Sequence, residues 1–319
     1  MNDGMREWRE TNSTATPCCE PEFERAFDII EPDALVSPLV FSSPHSGRIY
    51  PARFLAATPL DAATLRRSED AYVDDLFASA SSLGAPLLRA RFPRAYLDLN
   101  REPYELDPKL FDGALPSFAN TRSLRVAAGL GTIPRVVADA REIYASRLTL
   151  EEGLRRIDSL YKPYHAALRG LMERAAARFG VAVLIDCHSM PSTGARDPLL
   201  STRGDKRRID FVIGDRYGAS ASTGLVDVVE DRLRGRGYHV MRNRPYAGGF
   251  ITEHYGKPVG GWHALQIEVS RGLYMDESTL QKNERFDAVA RDLADVMAMV
   301  ARHEDLSEIL GGERRAAAE

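Results

Sequence analysis

The stretch Val181-Ala182-Val183-Leu184-Ile185 runs straight into Asp186-Cys187-His188-Ser189-Met190-Pro191, and this junction decides how the chain is read. A fully apolar run of this length fits a strand buried on both faces, as in a parallel sheet. The Asp-Cys-His that follows places polar side chains at the strand's carboxyl end. Working outward, residues 148–179 form a long amphipathic stretch rich in Leu, Arg, Glu and Ala, with Pro163 as its expected kink or break. Residues 34–42 predict a buried strand that leads into Pro44-His45-Ser46-Gly47. Residues 68–83 have helical spacing, with Tyr72, Leu76 and Phe77 on one side, and 86–90 and 95–99 predict short strands. Beyond the junction come a strand at 210–214, a helix at 219–235, strands at 238–242 and 263–269, and a closing helix at 280–303. Strands alternating with helices predict a single α/β domain, a mixed but mostly parallel sheet with helices on both faces. Ligands collect outside the carboxyl ends of such strands. His45, His188 and Glu268 all fall at or just beyond predicted strand ends.

Composition narrows the function. Of 319 residues, 44% are hydrophobic and 28% charged, which excludes a disordered or fibrous chain. A net charge of −4 argues against a general nucleic-acid binder, so the expected partner is a small molecule. No apolar run is long enough to span a membrane. Cys18, Cys19 and Cys187 set up no disulfide framework, and with a polar N-terminus lacking a signal-peptide core they predict a reducing cytoplasm. Residues 1–24 and 305–319 are expected as loosely held tails, leaving 25–304 as the catalytic domain.

The polar residues at the strand ends suggest chemistry. His45 and His188 could converge on a metal ion, zinc being the commonest such case, and a catalytic zinc takes three protein ligands. Asp70, in Ser68-Glu69-Asp70, is the preferred third ligand and Glu69 the reserve; helix capping is the competing role for both. Asp186 suits an acceptor that orients a ligating imidazole. Glu268 sits in the apolar run Leu265-Gln266-Ile267-Glu268-Val269, where burial raises a carboxyl pKa and suits a general base. Arg271 is its expected partner. Arg94, Asn100 and Arg101 flank one short segment and suit carboxylate binding, with a surface salt-bridge strand as the alternative. Gly248 and Gly249 allow close approach to a ligand, a hinge or a plain turn. His254 and Tyr255 are expected to reach the pocket, His254 steadying a developing oxyanion. His165 and His263 are expected to pack or cap.

Together these segments resemble the N-formylglutamate amidohydrolase family. The matching motifs are PHSG at 44–47, SEDAYVDDL at 68–76, RAYLDLNRE at 94–102, GLGTIPR at 129–135, PYHAAL at 163–168, LIDCHSMP at 184–191, NRPYAGGFITEHYG at 243–256 and HALQIEVSRGLYMDE at 263–277. The resemblance implies a phosphorylase/hydrolase-like fold of the zinc-exopeptidase type, related to the zinc carboxypeptidase and aspartoacylase group, with one catalytic zinc. It implies that Asn100 and Arg101 hold a substrate carboxylate, that Glu268 is the general base, and that His45 and His188 are ligands. One departure stands out: the usual His-x-x-Glu pair would put Glu at 48, where this chain has Arg48, so the acidic ligand falls to Asp70. The formylglutamate deformylases of histidine breakdown also tend to carry Trp-His where this chain has Ala71-Tyr72. The implied reaction is N-formyl-L-glutamate plus water giving formate and L-glutamate. Two other readings stay open, an amidohydrolase for a different N-acyl amino acid or peptide-like amide, and a non-catalytic ligand-binding homologue.

Overall fold

The computed structural model of the protein describes residues 20–193 and 208–301. Seven strands form one sheet: β1 (Phe27–Ile30), β2 (Leu39–Ser43), β3 (Leu87–Ala90), β4 (Ala182–Met190), β5 (Phe211–Gly214), β6 (Val240–Arg242) and β7 (Trp262–Ser270). Their order is β1-β3-β2-β4-β7-β5-β6. The central four, β3, β2, β4 and β7, run parallel. The edges reverse: β1 lies antiparallel on β3, and β5 is antiparallel to β7 and carries β6 with it. The sheet is therefore mixed with a parallel centre, as the sequence predicts.

Alternation along the central strands feeds two cores, because successive side chains point to opposite faces. On one face Leu39, Phe41, Val183, Ile185, Leu265 and Ile267 pack with α1 (Val73–Leu76), α4 (Thr223–Gly235) and α6 (Phe286–Ala301). On the other, Val40, Leu88, Leu184 and Ala264 pack beneath α2 (Leu150–Arg156), α3 (Lys162–Phe179) and α5 (Phe250–Tyr255). Among the described residues no helix is long and apolar enough to cross a membrane.

Several elements differ from the sequence prediction for physical reasons. The strand expected at 34–42 begins only at Leu39, after Pro38, which cannot donate to a ladder. Residues 95–99 are not a strand. Tyr96 N–H bonds Pro93 O in a turn and Asp98 N–H bonds the distant Thr132 O, so the backbone pairs outside the sheet. The helix expected across 68–83 is two short pieces, α1 and a 3₁₀ turn at Ala78–Leu83, entered through Tyr72 at φ 63°. Pro163 does not break the long helical stretch. A π-helical turn at Ile157–Tyr161 joins α2 to α3, and Pro163 falls in the first turn of α3, where its missing N–H costs little. The packed chain also starts earlier than residue 25, since Phe23 is buried edge-on against Phe92 and Tyr96. Cys18, Cys19 and the expected tail 305–319 lie outside the described residues.

Candidate active site

The site is built by strands that continue past their apolar stretches. β4 and β7 are each nine residues long, so His188 and Glu268 lie inside them and not beyond their ends. On the α3 face, β4 presents Leu184, then Asp186, then His188; β7 presents Ala264, then Gln266, then Glu268. Parallel register sets Asp186 beside Gln266 and His188 beside Glu268. β2 ends at Ser43 and the following turn delivers His45, whose carbonyl accepts the Asp70 N–H at 3.0 Å and so clips the Asp70 loop to the same edge.

His45, Asp70 and His188 converge, with one ligand atom from each lying within 4.8 Å of the others. Both imidazoles turn Nδ1 toward Asp70 Oδ2, at 3.3 Å from His45 and 2.9 Å from His188. Both turn Nε2 toward a second carboxylate: His45 to Asp98 Oδ1 at 2.8 Å and His188 to Asp186 Oδ1 at 3.1 Å. His45 is oriented as ligating histidines are, one nitrogen toward the ion's place and the other fixed by a carboxylate, and Asp186 stands beside His188 Nε2 in the same position. His45 Nδ1 is buried and makes no well-formed hydrogen bond, the kind of atom a cation would satisfy. The donor set, two imidazoles and one carboxylate, fits a catalytic divalent metal.

Electrostatics follow from these contacts. Burial alone would raise the Asp70 carboxyl, yet the hydrogen bond from His188, the close approach of His45 and the charge of both rings hold it well below its ordinary range. Asp98 is likewise driven down against burial by Arg101, Arg94 and His45. His188 is pushed up despite burial, because Asp186 and Asp70 both favour its charged form. Glu268 behaves oppositely. Burial comes first and raises it to about 7, with His188 and Arg94 opposing and Asp70 adding to the rise. Its Oε1 accepts Gln266 Nε2 at 3.0 Å.

The structure sorts the other candidates. Glu69 turns away, bonded to Tyr50 Oη at 2.7 Å and Arg66 Nε at 3.1 Å, which leaves Asp70 in the cluster. Arg48 also turns away, toward Asp74 and over the Tyr72 ring. Arg271 does not pair with Glu268. The strand ends at Ser270, and a 3₁₀ turn at Arg271–Leu273 aims its guanidinium at Asp70 Oδ1, 3.1 Å away, and at Ser189 Oγ, 3.1 Å away.

Arg94 reaches Asp98 with one nitrogen at 2.7 Å and, among the described residues, has no other hydrogen-bond partner, so most of its donors stay free. Arg101 is held inward by Leu130 O at 2.9 Å, Asn100 O at 2.7 Å and Asp98 at 3.4 Å. Asn100 meets His188 Nε2 at 3.0 Å and the Ile251 N–H at 2.7 Å. Neither side chain presents the open fork expected of a carboxylate binder. Gly249 is required by close approach, since a Cβ there would lie 2.4 Å from Asn100 Oδ1, and Gly248 has φ +116°.

Two expected pocket residues go elsewhere. His254 stacks on Phe250 and takes a hydrogen bond from Arg169 at 3.0 Å; burial, with Arg169 beside it, lowers it to about 4. Tyr255 is 1% exposed and bonds His165 Nδ1 at 3.1 Å in the core under α3. Both sit on α5 facing α3, which the six-residue helix cannot reverse. His165 packs as expected, its Nε2 donating to Leu99 O at 2.9 Å. The sequence reading gave no role to Asp98 or Gln266. The signal for Gln266 was available: it lies two residues before Glu268, on the same strand face.

Fold and cluster together define a class, an α/β-sheet protein with a candidate metal centre at the carboxyl edge of its parallel strands. The sequence profile of the family described as N-formylglutamate amidohydrolase matches residues 37–275. An N-formylglutamate deformylase of Pseudomonas aeruginosa is 33% identical over 244 residues, covering 75% of this chain and 83% of that protein. One from Pseudomonas putida is 30% identical over 248 residues, covering 76% and 83%. The crystal structure of an N-formylglutamate amidohydrolase from Ralstonia eutropha JMP134 superposes with a TM-score of 0.80 at 38% identity, covering 88% of this chain and 99% of that one. The chain belongs to the N-formylglutamate amidohydrolase family.

Proposed function

We propose that this protein hydrolyses the amide of N-formyl-L-glutamate, releasing formate and L-glutamate, with zinc held by His45, Asp70 and His188. One observation carries the reading: two carboxylate-oriented imidazoles meet Asp70 one strand away from a buried glutamate in register with His188. A bound divalent ion supplies Lewis acidity, polarising a carbonyl and making water a stronger acid near neutral pH. Glu268 takes a proton from the attacking water and returns it to the departing nitrogen, and a carboxyl raised to about 7 suits both transfers. Arg94 pairs with a substrate carboxylate through its free donors, a charge-assisted contact that contributes about 1.5–3 kcal/mol. Asp98 and Asp186 keep the two ligating rings turned toward Asp70. The proposal includes a cytoplasmic setting in histidine breakdown, which the buried free thiol of Cys187 suits.

The test is glutamate release from N-formyl-L-glutamate by zinc-loaded protein, with a chelator-treated sample alongside. Release that stops on chelation and returns with zinc is expected. Zinc-loaded protein that leaves this substrate intact while cleaving another N-acyl amino acid would overturn the substrate, and release indifferent to chelation would overturn the metal.

A further inference from the structure

Asn100 is 4% exposed, and every polar group it has is engaged within the protein. Its N–H donates to Asp98 Oδ1 at 2.9 Å, and its carbonyl accepts Arg101 Nη1 at 2.7 Å. Its Oδ1 accepts the Ile251 N–H at 2.7 Å. Its Nδ2 lies 3.0 Å from His188 Nε2 and 3.4 Å from Asp186 Oδ2. The carbonyls on either side are gripped as well. Tyr161 Oη donates to Arg101 O at 2.7 Å and His165 Nε2 to Leu99 O at 2.9 Å, from side chains four apart and so on one helix face.

A second amide continues the line. The Gly249 N–H donates to Gln266 Oε1 at 3.0 Å, and Gln266 Nε2 donates to Glu268 Oε1 at 3.0 Å. The backbone of 249–251 is thus held between two amide side chains, one at His188 and the other at Glu268. Glycine at 249 allows this, because any Cβ would press on the Asn100 amide.

We propose that Asn100 is a positioning residue that does not touch substrate: with Gln266 it sets the placement of His188 relative to Glu268 through the 249–251 backbone. Asp186 Oδ1 lies 3.1 Å from His188 Nε2 without a formed hydrogen bond, and its Oδ2 takes the Asn100 amide at 3.4 Å; were His188 to give Nδ1 to a metal, the proton would sit on Nε2 and Asp186 would become its acceptor. Removing that amide loosens the carboxylate that orients the ligand, and losses of this kind weaken metal binding about 10–100-fold. The inference rests on the reading of His188 as a metal ligand. It departs from the carboxylate-holding role that the family resemblance implies for Asn100.

The experiment measures zinc affinity by competition with a chromophoric chelator, together with kcat and KM for N-formyl-L-glutamate. The proteins are wild type, Asn100→Ala, Gly249→Ala and the double variant. Each single variant is expected to weaken zinc binding about tenfold or more. The double variant should match the weaker single, because both act through one contact. Wild-type zinc affinity in Asn100→Ala with a sharply raised KM would make Asn100 a carboxylate anchor and overturn the proposal, as would additive losses in the double variant. Should Asn100→Ala not fold, Gly249→Ala decides alone, since it keeps Asn100 and only displaces it; wild-type zinc affinity there overturns the proposal. Wild-type protein that takes up no zinc sinks the metal reading and this inference together, whereas zinc-binding wild type with unaffected variants sinks this inference only.

Discussion

The two faces of β4 and β7 share one backbone and nearly one degree of burial, and they do opposite things. On one face Val183, Ile185 and Cys187 stand beside Leu265, Ile267 and Val269, each fully buried. On the other, Asp186, His188, Gln266 and Glu268 are 0–7% exposed. The apolar face is held by area removed from water, about 25 cal/mol per Å², and it asks nothing specific of its neighbours. The polar face costs free energy unless each atom finds a partner, so Asp70 and Asn100 are drawn in from two loops to meet His188 and Asp186. Burial alone therefore does not mark the site. What marks it is a set of buried charged groups that complete one another only in this arrangement, with Glu268 left raised and His45 Nδ1 unsatisfied.

The contrast can be broken from either face. The largest effect is expected at Glu268→Gln, which keeps the volume and the Gln266 contact but cannot carry the proton. Turnover should fall about 10³-fold with zinc content unchanged, since general acid–base catalysis contributes on the order of 10²–10⁴-fold. Metal analysis beside steady-state kinetics checks this, and near-native turnover would remove Glu268 as the base. Ile267→Ala, one residue away on the apolar face, should instead cost about 2–5 kcal/mol of stability and leave KM of the folded protein as it was. Urea unfolding read together with kinetics separates the two.

Arg94→Ala sharpens the comparison at the pocket edge. KM should rise about 10–100-fold while zinc affinity holds, the loss expected for one charge-assisted pair. An unchanged KM would move the carboxylate anchor elsewhere.

The smallest effect is a pH dependence in the core behind the site. Burial drives His165 down to about 3 from an ordinary 6.5. Between those values the unfolded chain binds a proton that the native chain refuses, so this contribution to stability is complete above 6.5 and is lost as pH falls. From pH 7 to pH 5 the loss is about 2 kcal/mol. Unfolding midpoints of wild type and His165→Gln at the two pH values test it; equal pH slopes would show that His165 contributes nothing.

Much of the frame was legible before any coordinates. The strand expected at 86–90, the apolar run that opens β4, the run at 263–269 that becomes β7 and the α/β order all follow from hydrophobic patterning, because the period of burial is set locally by backbone geometry. The same patterning flagged His45, His188 and Glu268 as polar groups at the edge of an apolar sheet, and it drew attention to Asp70. It misplaced the strand ends, since ladder pairing continues through Asp186-Cys187-His188 where hydrophobicity stops. It also misread 95–99, which alternates like a strand but bonds in a turn and to the distant Thr132 carbonyl.

Partners were the province of the tertiary structure. Local sequence says that Arg271 is near Glu268, but the turn after β7 sends it to Asp70. The segment at 243–256 puts His254 and Tyr255 close in sequence to Gly248 and Gly249, but α5 turns them toward Arg169 and His165. The reserve ligand Glu69 differs from Asp70 by one position and ends on Tyr50. The chain by itself determined which residues are buried and which of those are chargeable, because both follow from side-chain chemistry and short-range period. Only the fold decided which charges face one another, because that depends on contacts between residues 53 to 201 positions apart, as in His45–Asp98 and Asp70–Arg271.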